Sequence, residues 1–365
     1  MTLHLYIARR FLWSFLLVAG VMAMVFLLLD VVEHIRTFDS NTVGMIAIVQ
    51  LSLLNLPTWI AKTLPLLVIL ATVTMFLGLA RSSEMVVTRA SGRSALVTLS
   101  APIITIFLIG LLALAAFNPI VAATSKQYQL LSSHLRSAST SVMSLSPEGL
   151  WLRQGNRAGQ TVIHAQRSEL EGTQLYGVTF FSFDTDGAVI SRVDAASARL
   201  EPGRWSLTQA KVWTLSNTSN PEKSAVERKV YWISSNLTQK QIQDSFGAPS
   251  SIQIWELPGF IDQLEEAGFS SRQHRVWFQM ELATPLSLIA MLLIGAGFTM
   301  RHTRFGRTGL MVLLALMFGF GIYFIRNFAQ ILGENGQIPV LVAAWTPPVA
   351  AVLLSLGILL HLEDG

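Results

Sequence analysis

The chain has 365 residues, of which 52% are hydrophobic and 13% are charged, whereas an ordinary soluble domain carries about 25% charged residues. Its formal net charge is +4, but the basic residues lie at the ends of apolar runs and form no patch interleaved with aromatic side chains, so a membrane protein is expected and a nucleic-acid partner is not. The lack of cysteine excludes disulfides and thiol-ligated metals, and the scattered histidines predict no metal site.

Apolar runs long enough to cross a bilayer, which takes about 20 helical residues, occur six times along the chain. They predict transmembrane helices at 11–32, 49–80, 95–117, 280–300, 308–331 and 338–360. The second run contains Pro57 and Pro65, where kinks are expected because proline removes a backbone donor. The predicted organisation is residues 1–118 with three spans, 119–275 as an inserted domain with flanking helices, and 276–365 with three more spans.

The basic residues predict the orientation of these spans, because loops rich in lysine and arginine stay on the cytoplasmic side. Such residues gather at the N-terminus, after the second span and after the fourth, which all fall on one side. Both termini are therefore expected in the cytoplasm and the inserted domain outside. Arg9 and Arg10 also fit a twin-arginine secretion signal, but Asp30 and Glu33 end the run where that signal would have a small-residue cleavage site.

The inserted domain changes character from helix to strand between residues 150 and 233. Short runs rich in β-branched and aromatic residues alternate with turn signals, of which Asp186-Gly187 and Pro202-Gly203 are the strongest. Consecutive hairpins of this kind predict an antiparallel domain folded as a sandwich or jelly roll. After Ser250 the pattern returns to helix, with Pro258 near a helix start and Gly268 as its stop.

No motif of an energy-converting or hydrolytic enzyme occurs in the sequence. The chain has no GxxxxGK[ST] phosphate loop, no GxSxG elbow and no HExxH. It is therefore not expected to hydrolyse nucleotides or to need a cofactor.

The segment 82–92 interrupts two apolar runs with a short, charged, helix-like stretch, "SSEMVVTRASG". One interpretation is a plain connecting helix, capped by Ser82 or Ser83, with Glu84 at the positive end of its dipole and Gly92 as its stop. The other is a docking helix, in which apolar Met85 and its neighbours fill a groove on a cytoplasmic motor. The residues alone favour neither interpretation.

Three stretches carry a resemblance to a known family. They are "ARSSEMVVTRASGRS", the external "SLSPEGLWLRQGNRAGQTVIHAQR" and the closing "GQIPVLVAAWTPPVAAVLLSLGILL". With the order of three spans, β domain and three spans, they resemble the YjgP/YjgQ (LptF/LptG) permeases of the lipopolysaccharide-export ABC transporter over essentially the whole chain. The first stretch and "GLW" favour the LptG type. The resemblance implies six transmembrane helices with a periplasmic β-jellyroll in the bacterial inner (cytoplasmic) membrane.

The resemblance also implies partners and site residues. The partners would be an LptF-like sibling permease, an LptB-like cytoplasmic ATPase dimer, LptC-like and LptA-like periplasmic bridge proteins, lipopolysaccharide and membrane lipids. Segment 82–92 would be the coupling helix, with Glu84 as the polar anchor. The residues expected to couple to the ATPase are Glu84, Met85, Val87, Arg89, Ser91 and Gly92.

Spans one and five would line a cargo cavity and gate shared with the sibling. The residues expected there are Asp30, Glu33, Arg36, Phe324, Arg326 and Phe328. Charged side chains in a transmembrane span usually face a partner or a water-filled cavity. Asp30 and Arg326 are therefore expected to approach each other, within this chain or across to the sibling. The alternative is that each side chain extends to the lipid headgroups. Some relatives are expected to carry a basic residue near position 30, suited to an anionic cargo. In this chain Arg36 could take that role, whereas the negative charge of Glu33 would oppose it. The two phenylalanines line the cavity unless they serve ordinary packing.

Two rival functions remain to be separated from transport. A membrane-embedded enzyme that modifies envelope lipids would need carboxylates or histidines clustered at the bilayer edge, and the sequence disperses them. A structural envelope protein would need a single anchor, for which six spans with polar intramembrane residues are excessive.

Overall fold

A computed structural model describes the chain at residues 2–38, 44–85, 94–135, 143–146, 149–156, 159–168, 173–184, 187–215, 221–235, 237–238, 242, 249–266, 270–300 and 308–363. The chain divides into two compact units. The helical unit comprises Met1–Ser132 and Arg272–Gly365, and the β unit comprises Ser133–Ser271.

The described ranges contain nine α-helices. They are α1 (Thr2–Thr37), α2 (Met45–Arg81), α3 (Ala95–Leu112), α4 (Asn118–Leu135), α5 (Leu257–Glu266), α6 (Arg272–Leu282), α7 (Thr284–Thr299), α8 (Thr308–Glu334) and α9 (Val340–Glu363). A π-helical turn, Ala113–Phe117, joins α3 to α4, so the third apolar helix continues beyond its predicted end at residue 117. Short 3-10 turns occupy Pro221–Ser224 and Pro249–Ser251.

The helical unit confirms the prediction of a multi-span membrane protein. Within the described ranges, five helices are long and apolar enough to cross a membrane, and the bent pair α6 and α7 makes a sixth if it counts as one span. That pair is bent by 50° at Ala283. Pro285 at the start of α7 explains the break, because proline fits the first turn of a helix but cannot donate to the turn before it. Pro57 and Pro65, by contrast, lie inside a continuous α2.

The core of the helical unit lies between α2 and α7, which are the most enclosed of its helices. Fully buried side chains of α2 such as Val68 and Phe76 share a cluster with Leu288 and Leu292 of α7. An α-helix that is buried on most sides can be apolar all round, and the uniform hydrophobicity of both segments follows from this position.

The β unit confirms the predicted antiparallel domain. Its strands are β1 (Met143–Ser146), β2 (Gly149–Asn156), β3 (Gly159–Ser168), β4 (Gln174–Phe183), β5 (Val189–Glu201), β6 (Arg204–Thr214) and β7 (Val226–Ser234). They pair in chain order as one seven-stranded antiparallel meander. Among the described strands, the meander contains none of the crossed connections between two sheets that define a jelly roll.

Two of the predicted turns set the register of this sheet. Gly187, at φ +83°, lies in the connection from β4 to β5, and Gly203, at φ +79°, lies between β5 and β6. Glycine adopts positive φ without the steric penalty of a side chain, which is why these positions turn the chain. The register places Phe180, Val193 and Leu207 on one buried face around Trp205, which is fully enclosed.

Candidate functional site

The residues that follow α2 fold back onto the beginning of α1. The Glu84 carboxylate accepts hydrogen bonds from the Tyr6 hydroxyl at 2.8 Å, from Arg10 Nη1 at 2.7 Å and from the Ser82 hydroxyl at 2.7 Å. Arg10 also donates to the Tyr6 hydroxyl, so the three groups around the carboxylate form one network. Ser82 is at the C-terminal cap of α2, and its hydroxyl also contacts the Gly78 carbonyl at 3.1 Å.

The network sets the charge state of Glu84. Burial of the carboxyl by itself would raise its pKa, but the hydrogen bonds from Ser82, Tyr6 and Arg10 outweigh burial, and the pKa of Glu84 lies below its ordinary value. Glu84 is therefore a carboxylate at neutral pH. Its side chain is 35% exposed and that of Arg10 is 30% exposed, so the pair lies at the surface of the helical unit.

Of the six residues predicted to couple to an ATPase, the structure describes two. Met85 is buried and belongs to the same core cluster as Ile7 and Phe11 of α1, so its side chain packs inward. Val87, Arg89, Ser91 and Gly92 lie outside the described residues. Ser94 precedes α3, and its hydroxyl caps that helix by accepting a hydrogen bond from the Val97 amide at 3.3 Å.

Asp30 lies toward the other end of α1 and is buried, with a relative exposure of 7%. Its Oδ1 accepts hydrogen bonds from Asn55 Nδ2 at 2.8 Å and Trp59 Nε1 at 3.1 Å, both on α2. Its Oδ2 lies 3.3 Å from Nε2 of His34, one helical turn along α1. The His34 ring in turn stacks against Tyr128 of α4, with 5.8 Å between centroids. The carboxylate therefore joins α1 to α2, and its histidine neighbour extends the cluster to α4.

Arg326 has a carboxylate partner that the sequence analysis missed. It interacts electrostatically with Glu281 of α6, and the Asn118 side chain at the start of α4 hydrogen-bonds to the same carboxyl group. Glu281 falls just inside the predicted fourth span, and a carboxylate within an apolar run is the signal that could have identified it. The three residues connect α4, the broken pair α6 and α7, and α8.

These partners correct the expected approach of Asp30 and Arg326 within this chain. Asp30 is engaged by Asn55, Trp59 and His34, and Arg326 by Glu281. Within this chain the two side chains therefore have separate partners, which lie on α1 and α2 for Asp30 and on α6 for Arg326. A pairing across to a second permease stays a prediction.

The remaining predicted cavity residues are exposed on the helical unit. Glu33 and Arg36 are exposed on the last turns of α1. Phe324 and Phe328 are 70% and 53% exposed, and their rings stack with centroids 6.4 Å apart. The two rings form a continuous apolar ledge on α8, because residues four apart lie on the same side of a helix.

Several charged side chains on the exposed strands of the β unit form ion pairs. Arg192 bonds to Asp194 at 2.7 Å, and Lys211 bonds to Glu222 at 2.5 Å. The Arg192 guanidinium also lies 5.3 Å from the centroid of the Trp213 ring, whose Nε1 donates to Glu222 at 2.7 Å. The Arg192–Asp194 and Lys211–Glu222 pairs therefore neutralise each other's charges locally on these strands.

Comparison with known proteins identifies the family. The model of the lipopolysaccharide export system permease LptF/LptG family matches residues 5–361. The chain belongs to the LptF/LptG family. It is also 24% identical over 221 residues to the lipopolysaccharide export system permease protein LptG of Escherichia coli strain K12, and likewise to that of Escherichia coli O6:H1 strain CFT073. Each match covers 59% of this chain and 58% of the relative.

Membership of the LptF/LptG family accounts for the architecture. A lipopolysaccharide export permease has to be a multi-pass membrane protein, and the apolar helices of the helical unit meet that requirement. The β unit is inserted between α4 and α6, in the order that the resemblance implied.

Proposed function

We propose that this LptF/LptG family member is the LptG-type permease subunit of an ATP-driven lipopolysaccharide exporter in the bacterial inner membrane. Both termini would lie in the cytoplasm and the β unit in the periplasm. Lipopolysaccharide would enter a cavity shared with an LptF-like sibling from the outer leaflet and leave toward the periplasmic bridge proteins. The observation that carries the proposal is the family match over residues 5–361.

The exposed side chains of α1 and α8 support a shared cavity. None of the described residues 12–29 of α1 is buried, and most of the long span of α8 is similarly uncovered. Acyl chains need apolar walls, which the ledge of Phe324 and Phe328 offers. Arg36 and Glu33 would be the charged groups of this chain closest to the cargo, because Asp30 and Arg326 are already compensated by neighbours.

The energy for the movement would come from the partner ATPase dimer, since the sequence contains no phosphate-binding loop of the Walker type. Segment 84–92 would dock on that dimer. Closure of the dimer on ATP would move the segment, collapse the cavity and push the lipid toward the β unit.

The test is to purify the full chain after co-expression with the sibling permease and ATPase of the same organism. We expect the three to co-purify, and the complex in vesicles to hydrolyse ATP and release lipopolysaccharide only with ATP. The chain alone is expected to hydrolyse no ATP. Isolation of the chain without partners, together with turnover of a lipid substrate, would support the membrane enzyme instead.

The docking role of the segment has its own control within that experiment. Glu84→Ala is expected to lower the ATPase activity of the assembled complex, whereas Arg9→Gln, at an exposed site on α1 outside the Glu84 network, is expected to leave it unchanged. Unchanged activity and unchanged assembly of the Glu84→Ala complex would remove the coupling role from this residue.

A further inference from the structure

We propose that Arg10 is a positioning residue that connects the docking segment, residues 84–92, to α1, so that a displacement of the segment moves α1. The connection consists of Arg10, Tyr6, Ser82 and Glu84, which together form the clasp. This inference rests on the proposed function and assigns Glu84 a second role, in which it acts through α1 as well as at the ATPase surface.

The clasp joins parts of the chain that are distant in sequence. Tyr6 and Arg10 are one helical turn apart on α1, and they reach a carboxylate 78 and 74 residues away at 2.8 and 2.7 Å. Because residues four apart share one side of a helix, both donors approach Glu84 from the same direction. Two donors on a rigid helix fix the carboxylate in position more firmly than one flexible side chain, and Arg10 also binds the Tyr6 hydroxyl.

The backbone at the end of α2 directs Glu84 toward α1. Ser83 adopts φ +60°, in the left-handed region that residues other than glycine visit rarely. This conformation follows the end of α2, and the next residue, Glu84, contacts Tyr6 and Arg10 of α1. The Arg10 guanidinium also lies close to the last turn of α2, since a Cβ built on Gly78 would be 3.5 Å from Arg10 Nη2.

Apolar packing under the clasp makes the connection stiff. Ile7 and Phe11 of α1, Leu79 of α2 and Met85 after the clasp are all buried and belong to one core cluster. A displacement of the docking segment is therefore transmitted to α1 by these packed side chains as well as by the ion pair, because packed protein interiors compress little.

The middle of α1 is less enclosed than its ends. Between Phe11 and Asp30 no side chain is fully buried within this chain, although Phe15 and Val18 pack against the core cluster and the Phe26 ring stacks on Trp59 with 6.0 Å between centroids. Beyond this stretch Asp30 contacts Asn55 and Trp59. Movement at the clasp would tilt the exposed middle, which borders the shared cavity in the proposed transporter.

Substitutions of Arg10 separate the clasp from a direct contact of Glu84 with the ATPase. Full-length variants are reconstituted in vesicles with the sibling permease and the ATPase, and lipopolysaccharide released per ATP hydrolysed is measured. Arg10→Gln and Glu84→Gln are each expected to lower this ratio at least about fivefold, the lower end of typical coupling between sites. Arg10→Lys, which keeps a cation beside the intact Glu84, is expected to retain most of the ratio. Arg9→Gln, an exposed neighbouring cation, is the matched control and is expected to change nothing.

The Arg10 variants decide whether the clasp transmits movement. A normal ratio in Arg10→Gln would overturn the clasp, because a carboxylate that only meets the ATPase has no need of Arg10. If Arg10→Gln prevents assembly, Tyr6→Phe removes a single hydroxyl, and a normal ratio in that variant would overturn the clasp as well. Failure of the wild-type chains to assemble would instead overturn the proposed function.

Discussion

Asp30 illustrates how the structure changes the interpretation of a single charge. In the sequence it is a carboxylate in an apolar span, which suggests a residue facing a cavity. In the fold it is buried and holds two donors from α2 and one histidine from its own helix. Its side chain therefore contributes first to helix packing, and in the proposed transporter the charge near the cargo at this end of α1 would come from Glu33 and Arg36.

Replacement of Asp30 by alanine is expected to destabilise the purified chain. The substitution removes the acceptor of the half-buried Asn55 amide and of the exposed Trp59 indole, so the expected loss is about 1 kcal/mol, near the lower end of the cost of an unsatisfied donor. The measurement is thermal unfolding in detergent. Asp30→Asn keeps an acceptor oxygen and is expected to be milder, and Glu33→Ala, which is exposed, is expected to have little effect. Equal unfolding temperatures for Asp30→Ala and wild type would show that the cluster is dispensable for packing.

At the scale of elements, helices α3 and α7 approach each other closely at one glycine. A Cβ on Gly110 would lie 2.8 Å from Cα and 2.9 Å from Cβ of Pro285, at the start of α7. Small residues allow this approach of helix backbones, which is the usual packing device where lipid surrounds the helices. The same proline lies at the bend between α6 and α7, so its contact with Gly110 stabilises the bend.

Gly110→Ala is therefore expected to lower stability by about 1–3 kcal/mol, the usual cost of overpacking, because the neighbouring atoms belong to a proline backbone that cannot rotate away. Gly357→Ala is the matched control, since a Cβ there meets nothing within 4 Å and alanine favours helix over glycine. Thermal unfolding of both variants in the same detergent tests the difference. A Gly110→Ala chain as stable as the Gly357→Ala chain would contradict the close packing.

How far the sequence predicts these elements depends on the range of the interactions that form them. Hydropathy and turn residues are local, and they predicted the apolar helices and the hairpin at Gly203. The bend at Ala283 was missed, because a proline just inside an apolar run is compatible with a straight span or with a broken one. The partners of Glu84 and Arg326 could not be predicted, because they lie on helices whose neighbours are chosen by packing across the whole unit.

On the scale of the whole molecule, the proposed transport requires a defined side of the membrane for each connection. Loops rich in arginine are retained in the cytoplasm, which would place the end of α9 inside and the β unit and the turn from α8 to α9 outside. Force applied by a cytoplasmic ATPase reaches the clasp only in this orientation. The reverse orientation would put Glu84 in the periplasm and leave the docking segment without a motor.

Single-cysteine labelling tests this orientation directly, because the native chain contains no cysteine to interfere. Thr208 of β6, Asn335 between α8 and α9, and His361 near the end of α9 are all exposed in their units. In cells stripped of their outer membrane, a membrane-impermeant maleimide is expected to label Thr208→Cys and Asn335→Cys at once, and His361→Cys only after lysis. Labelling of His361→Cys before lysis, with protection of the other two cysteines, would show the opposite topology. In that topology a cytoplasmic ATPase could not act through Glu84.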